Sequence, residues 1–385
     1  MDSAELDAYL TDCRQLTLHE IREIIPKSSR CHAVLYGLVL DYPLREAKAL
    51  RPALCIATCR ALGGSLEAVL RSAAILELYH NAFLIHDDVE DGSENRRGRP
   101  TLHWSHGMPI AVNVGDAMLA LALEPLLDNM RLLGLGKALR ILQVVARMAR
   151  ESTEGQAIEL DWIRSHQWQL ADSDYLRMVF KKTSWYTFIA PTVIGGIVAG
   201  ATPEHSAALR RFAGLLGVAF QIQDDVLNLT GEGEVYGKEI AGDLWEGKHT
   251  LILMHALRTA SDTERKRAWR ILGKRRPLPA PGTAQQLAAV LDDLQARAQL
   301  RPAARRVIED AVARAGNGAG VKTQKEIDYL LNLIKRRGSV DYARSVARRF
   351  ALKASKALAK AEWLTPSLHR DFLRGLVDFA VSREW

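Results

Sequence analysis

The sequence predicts an all-α protein, and three observations carry that prediction. Ala and Leu dominate the 385 residues, apolar positions recur at helical spacing over several turns, and β-branched runs bounded by turn residues are few. The stretches Leu66 to Leu84, Pro109 to Leu127, Gly136 to Ile158, Asp174 to Ala190 and Ala207 to Leu227 are each long enough for helices of three or more turns. A shorter one runs from Thr250 to Leu257, and Gly and Pro mark the breaks between them. The length exceeds that of a usual domain, and it is as compatible with one large helical domain carrying added loops as with two domains.

Two acidic clusters interrupt this apolar pattern: Asp87-Asp88-Val89-Glu90-Asp91 and Asp224-Asp225-Val226-Leu227-Asn228. Residues four apart stack on one helix face, which places Asp87 over Asp91 and Asp224 over Asn228. A single such cluster is commonly a solvated acidic turn. Here each follows an apolar run, Ala82 to Ile85 and Val218 to Phe220, so each lies toward the C-terminal end of a core-bound helix. The helix dipole disfavours carboxylates there, and a bound cation would relieve that cost. An all-oxygen donor set favours Mg²⁺, which usually keeps positions open for phosphate oxygens. Directly after the first cluster, Asn95-Arg96-Arg97-Gly98-Arg99-Pro100 sets three guanidinium groups within four residues, suited to bidentate phosphate contacts. The substrate should carry phosphate.

The stretch LIHDDVEDGSENRRGRP, with FQIQDDVLNLTG and GKEIAGDLWEGK, resembles the trans-isoprenyl diphosphate synthases, the polyprenyl synthetase family. The resemblance runs from about residue 40 to the C-terminus, and Lys48-Ala49-Leu50-Arg51-Pro52 matches a further family segment in which Ala47 replaces a Gly. It implies a single large bundle of the isoprenoid synthase type around a central cleft, a homodimer, and Mg²⁺-dependent condensation of isopentenyl diphosphate with an allylic diphosphate. Asp87, Asp91 and Asp224 are implied as metal ligands, with Asp88, Asp225 and Asp243 orienting them or acting through water. Asn228 stands where the family often has Asp, as in the eukaryotic-type geranylgeranyl diphosphate synthases, and is expected to meet metal-bound water or the diphosphate.

For the allylic diphosphate the resemblance implies Arg96, Lys182, Lys238 and Lys248. For isopentenyl diphosphate it implies Lys48, Arg51, His80 and Arg97. His80 lies seven residues before Asp87, two turns up the same helix face, which sets it apart from an ordinary core histidine. Thr183 and Gln221 are expected to turn oxygen dipoles toward a transient carbocation, and the released pyrophosphate is the expected base for the final proton. Phe83, one turn before Asp87, its neighbour Ala82, and Tyr79 a further turn down are expected to set product length. Family members with aromatic residues at both positions tend to stop at fifteen carbons, so by resemblance one small position beside one aromatic implies geranylgeranyl diphosphate, with farnesyl diphosphate as the alternative. A class I terpene cyclase would share the aspartates but needs no second diphosphate site.

The remaining composition narrows the setting. The net charge of +7, from 52 basic and 45 acidic residues, is dispersed. Its densest run, Glu264 to Arg270 with Lys274-Arg275-Arg276, reads as a solvated helix face and loop, and no nucleic-acid partner is expected. Cys55 and Cys59 share a helix face without a second ligand pair, so they and Cys13 and Cys31 read as buried thiols in a reducing compartment. The N-terminus lacks the basic start and apolar centre of a signal peptide. The most apolar run, Thr187 to Ala201, is broken by Pro191 and three glycines and is shorter than the ~20 residues that span a bilayer. A cytoplasmic protein without stable membrane insertion is expected. Loop signals at Pro277 to Gly282 and Gly316 to Gly320 mark an insertion at about 271–325 within a synthase domain of residues 1–385, its role left open.

Overall fold

The computed structural model describes residues 1–27, 32–231, 241–276, 290–295, 297, 300–301, 303–308 and 320–382. The long apolar stretches are helices: α1 (Ser3–Ile24), α2 (Leu50–Ala61), α3 (Leu66–Asp91), α4 (Met108–Leu121), α5 (Leu123–Leu133), α6 (Leu135–Ser165), α7 (Asp172–Val179), α8 (Ala190–Val198), α9 (Pro203–Thr230), α10 (Leu251–Thr259), α11 (Asp262–Leu272), α12 (Gln324–Arg336), α13 (Ser339–Ala359) and α14 (Leu368–Ser382). Among the described residues the paired strands are the two-residue β1 (Asn95–Arg96) and β2 (Arg99–Pro100), which form an antiparallel hairpin.

Two apolar cores hold the bundle. The larger gathers α1 to α4, α8, the first half of α9 and α14 around Leu54, Ile75, Leu78, Phe188 and Phe212, all essentially without solvent exposure. The smaller packs α10 to α13 against α7 and the second half of α9 through Tyr175, Ile222, Leu251 and Leu330. Helix α9 belongs to both, so its C-terminal end, which carries Asp224, is fixed by burial on two sides.

Cys13, Cys55 and Cys59 are buried free thiols, and Cys31 lies outside the described residues. The basic run in and just after α11 is partly matched by acids: Arg265 pairs with Asp262, Lys274 with Glu326 at 2.6 Å and Arg276 with Glu246 at 3.1 Å. The expectation about apolar runs needs correction. α3 and the continuous α4–α5 segment Met108–Leu133, with mean hydropathy 1.2 and 1.6, are both long and apolar enough to cross a membrane. Helix α3 is mostly buried inside the bundle, whereas Met108, Ile110, Val112, Leu123, Leu127 and Met130 lie exposed along α4–α5.

Candidate active site

Helix α3 starts at a Ser65 cap, whose hydroxyl accepts from the Ala68 amide at 3.1 Å, and ends at Gly92 with φ +62°, the left-handed geometry that Gly adopts without strain. Its last turn is the first acidic cluster. Asp87 and Asp91 face one large cavity of about 920 Å³, while Asp88 points the other way and is fully buried. Both Asp88 oxygens are engaged, one accepting from Arg96 Nε at 2.9 Å and the other from the Tyr42 hydroxyl at 2.6 Å. Asp88 thus braces Arg96 and Tyr42 and does not line the cavity. Burial pushes the Asp91 carboxyl up to about 7, against the opposing pull of Lys248.

The second cluster faces the first from the end of α9. Asp224, Asp225 and Asn228 line the same cavity. Asp225 accepts from the Tyr175 hydroxyl at 2.7 Å and from Gln221 at 2.8 Å, and Gln221 in turn accepts from Thr183 at 2.8 Å. Burial again dominates and raises the Asp225 carboxyl to about 7. The Asn228 side-chain oxygen accepts from the Asp243 backbone amide at 3.2 Å, and this holds the short helix Gly242–Glu246 at the rim.

Between α7 and α8 the chain winds as a π-helix, Phe180–Ile189, a distortion frequent at functional sites. Two glycines admit it: a Cβ at Gly155 would lie 2.3 Å from the Lys182 amide nitrogen, and one at Gly217 would lie 2.6 Å from the Ser184 hydroxyl. The result brings Lys182 into the cavity, where it contacts Glu159 at 2.5 Å and Asp87 at 3.4 Å. Burial works against its charge, but those carboxylates hold its pKa above the ordinary lysine value. Lys248 bridges Asp91 at 2.6 Å and Glu246 at 2.8 Å, and Gln156 donates to Glu90 at 2.5 Å and weakly to Asp87.

The β1–β2 hairpin divides the cations. Arg96 lines the large cavity beside Asp87. Arg97 lines a second cavity of about 170 Å³ together with Lys48, Arg51, His80 and Glu77. Arg51 there donates to Thr187 at 2.8 Å and stacks 4.4 Å from the centre of the Tyr186 ring. Burial lowers the Arg97 pKa to about 10, which Glu77 partly opposes. The turn is Arg97-Gly98, both with positive φ (+54° and +71°), as the two-residue hairpin with a type I′ turn demands. The loop that Ala47 enters keeps its course without a glycine, because the left-handed residue is Ala49, φ +47°, at the start of α2.

The structure thus gathers Asp87, Asp91, Asp224, Asp225, Asn228, Arg96, Lys182, Thr183, Gln221 and Lys248 around one cavity, and Lys48, Arg51, His80 and Arg97 around another. Lys238 lies outside the described residues. The residues expected to set product length are placed differently from one another. Phe83 lines the large cavity and meets Tyr186 and Tyr79 edge-on, but Tyr79 does not line it and Ala82 is wholly buried in the core. Five residues before Asp87 is about 140° around the helix, so Ala82 cannot share the face that Phe83 shares. Sequence reasoning missed Tyr42, Gln156, Glu159, Tyr175 and Glu246. Of these, only Glu246 lay within a quoted motif, GKEIAGDLWEGK.

Among the described residues no three His, Cys, Asp or Glu side chains converge into a set that would hold a metal unaided. What stands there is a pair of acidic helix ends across a large cation-rimmed cavity, with a smaller cationic pocket beside it. This class of site belongs to an all-α enzyme that handles two anionic substrates.

The comparisons agree. Residues 33–289 match the polyprenyl synthetase family, and the chain belongs to it; it is a trans-prenyltransferase. It is 37% identical over 256 residues, 66% of this chain and 75% of the other, to the short chain isoprenyl diphosphate synthase of Methanocaldococcus jannaschii. It is 29% identical over 337 residues, 88% and 86% of the two chains, to the octaprenyl diphosphate synthase of Escherichia coli. The solved structure of geranylgeranyl pyrophosphate synthetase from Pyrococcus horikoshii superposes over 100% of both chains, with TM-score 0.78 and 29% identity.

Proposed function

We propose that this enzyme condenses isopentenyl diphosphate head-to-tail with an allylic diphosphate and releases geranylgeranyl diphosphate. The observation that carries the reading is the division of cations between two cavities. A terpene cyclase would have no use for the second one.

The donor set fits Mg²⁺: Asp87, Asp91 and Asp224 offer hard oxygens, no His or Cys gathers with them into a ligand set among the described residues, and the deficit of protein ligands suits an ion that shares its shell with diphosphate. When bound, Mg²⁺ would template the allylic diphosphate and neutralise charge growing on the leaving group. Arg96, Lys182 and Lys248 supply fixed positive charge to the same diphosphate, in a setting where no reorganisation is needed. Lys238 is proposed with them from its motif. Thr183 and Gln221 present oxygen dipoles to the carbocation, and Gln221 is held for this by Asp225. Lys48, Arg51, His80 and Arg97 hold isopentenyl diphosphate with its double bond toward the cation, and pyrophosphate takes the proton. Phe83 and Tyr186 wall the tail.

The exposed apolar stripe along α4–α5 is proposed as the homodimer face. Its helices also carry Asp116, Glu124, Asp128 and Arg131, which a bilayer would reject, so the protein is proposed to work in the cytoplasm without membrane insertion. The 271–325 segment is proposed as an insertion in a 1–385 synthase domain. Its ends meet where Arg275 and Val321 bridge, beside Arg276 on the cavity rim.

The test is incubation with isopentenyl diphosphate, Mg²⁺ and dimethylallyl, geranyl or farnesyl diphosphate, with chain-length analysis of the products. A twenty-carbon diphosphate is expected. A dominant fifteen-carbon product would favour farnesyl diphosphate synthesis, and a cyclic hydrocarbon from the allylic substrate alone would overturn the reading.

A further inference from the structure

We propose that Arg45, which lines neither cavity, is a positioning residue that aims Arg96 and Arg97 at two different diphosphates at once, with Tyr42 closing the frame. The inference rests on the assignment of the two cavities made above.

Arg45 is only 3% exposed. A buried guanidinium is costly unless its donors are matched, and here the matches are specific. Nε donates to Asp41 at 2.8 Å. The two terminal nitrogens donate to the backbone carbonyls of Arg96 at 2.9 Å, Arg99 at 3.3 Å and Pro100 at 2.7 Å. All three carbonyls belong to the β1–β2 hairpin. A planar fork of five donors fixes the tilt of that hairpin, and a lysine, as a single point of charge, would not.

The frame closes through the neighbouring turn. The Tyr42 ring lies under the Arg45 guanidinium, 4.3 Å from it. The Tyr42 hydroxyl donates to Asp88, whose other oxygen holds Arg96, and the Tyr42 carbonyl accepts from Arg97 Nη1 at 3.1 Å. Arg97 meanwhile occupies left-handed backbone, a conformation strained in a residue other than glycine that persists only where its surroundings fix it. Tilting the hairpin toward one cavity would break contacts at the other. The two diphosphate sites are therefore set by one rigid element.

Full-length Arg45→Lys should fold with an unchanged circular dichroism spectrum and raise KM for both diphosphates roughly tenfold, the scale of couplings between contacting residues. In an Arg97→Ala background its effect on the KM of isopentenyl diphosphate should vanish, while the effect on the allylic substrate should persist. Calorimetric titration with inorganic pyrophosphate, which needs no turnover, should show the same loss for Arg45→Lys. Unchanged KM values, or an effect that simply adds in the Arg97→Ala background, would overturn the brace. If Arg97→Ala itself leaves the isopentenyl diphosphate KM unaltered, the cavity assignment fails and the proposal with it. Should Arg45→Lys not fold, Tyr42→Phe removes one hydroxyl from the same frame, and it must raise the KM of both substrates for the proposal to stand.

Discussion

Replacing Arg51 by Ala isolates the second cavity. The guanidinium lines the small pocket and not the large one, is oriented by Thr187 at 2.8 Å and rests against Tyr186. A hydrogen bond to a charged group is worth about 1.5–3 kcal/mol. At about 1.4 kcal/mol per tenfold, its loss should raise the KM of isopentenyl diphosphate roughly 10- to 100-fold. The allylic KM should shift by less than about threefold, since no Arg51 atom faces that diphosphate, and the melting temperature should fall by no more than about 4 °C for the lost Thr187 bond. The assay is initial rate with each substrate varied at saturating levels of the other. Equal effects on both substrates, or an effect confined to the allylic one, would refute the division of cations.

Asp87→Ala or Asp224→Ala should lower turnover by several orders of magnitude with the circular dichroism spectrum intact; undiminished Mg²⁺-dependent turnover in either would sink the ligand assignment. Asp91 and Asp225, both raised to about 7, make the ligand-free protein bind more protons than its unfolded chain between about pH 4 and 7. Stability from these groups is present at low pH and lost as pH rises through 7. The ligand-free melting temperature should therefore fall from pH 5.5 to 8 more steeply than in Asp91→Asn, while apparent Mg²⁺ affinity rises over the same interval; parallel melting profiles in thermal scans would contradict this. Phe83→Ala should extend the product beyond twenty carbons, checked by chromatography of the hydrolysed prenyl alcohols, and an unchanged product would place the wall elsewhere. Leu127→Glu, in the middle of the exposed α4–α5 stripe, should halve the mass measured by light scattering; a wild-type protein already monomeric at micromolar concentration would remove the basis for that face.

The helices were legible because their apolar periodicity persists for three turns or more, and their ends were less so. Leu66 to Leu84 runs on to Asp91, because the acidic cluster is itself the last helical turn and Gly92, not the loss of apolar residues, stops it. The π-helix at Phe180–Ile189 left no mark in residue periodicity. It follows from Gly155 and Gly217, which lie on two other helices and mean something only once α6 and α9 flank Lys182 and Ser184. The aspartates and the arginine cluster were readable because their spacing is local. Tyr42, Tyr175 and Glu159 were not, since each is a lone residue whose partner lies 46, 50 or 23 positions away. Ala82 and Phe83 are adjacent in sequence but about 100° apart around the helix, so Phe83 faces the large cavity while Ala82 is buried in the core.

The pairing of the cavity lysines balances the charge of an acid-lined cleft. Lys182 touches Asp87 of the first cluster and also Glu159, and Lys248 touches Asp91 and also Glu246. Each lysine therefore has one partner within the acidic cluster and one outside it. The outside partner is what makes the arrangement reversible. If Asp87 and Asp91 turn to an incoming metal diphosphate, neither ammonium group is left buried and unpaired, a state that would cost several kcal/mol. Glu159 and Glu246 keep both lysines charged and on the wall of the cavity proposed to take that diphosphate. Neither glutamate belongs to an aspartate motif, yet each sets the charge and position of a motif lysine.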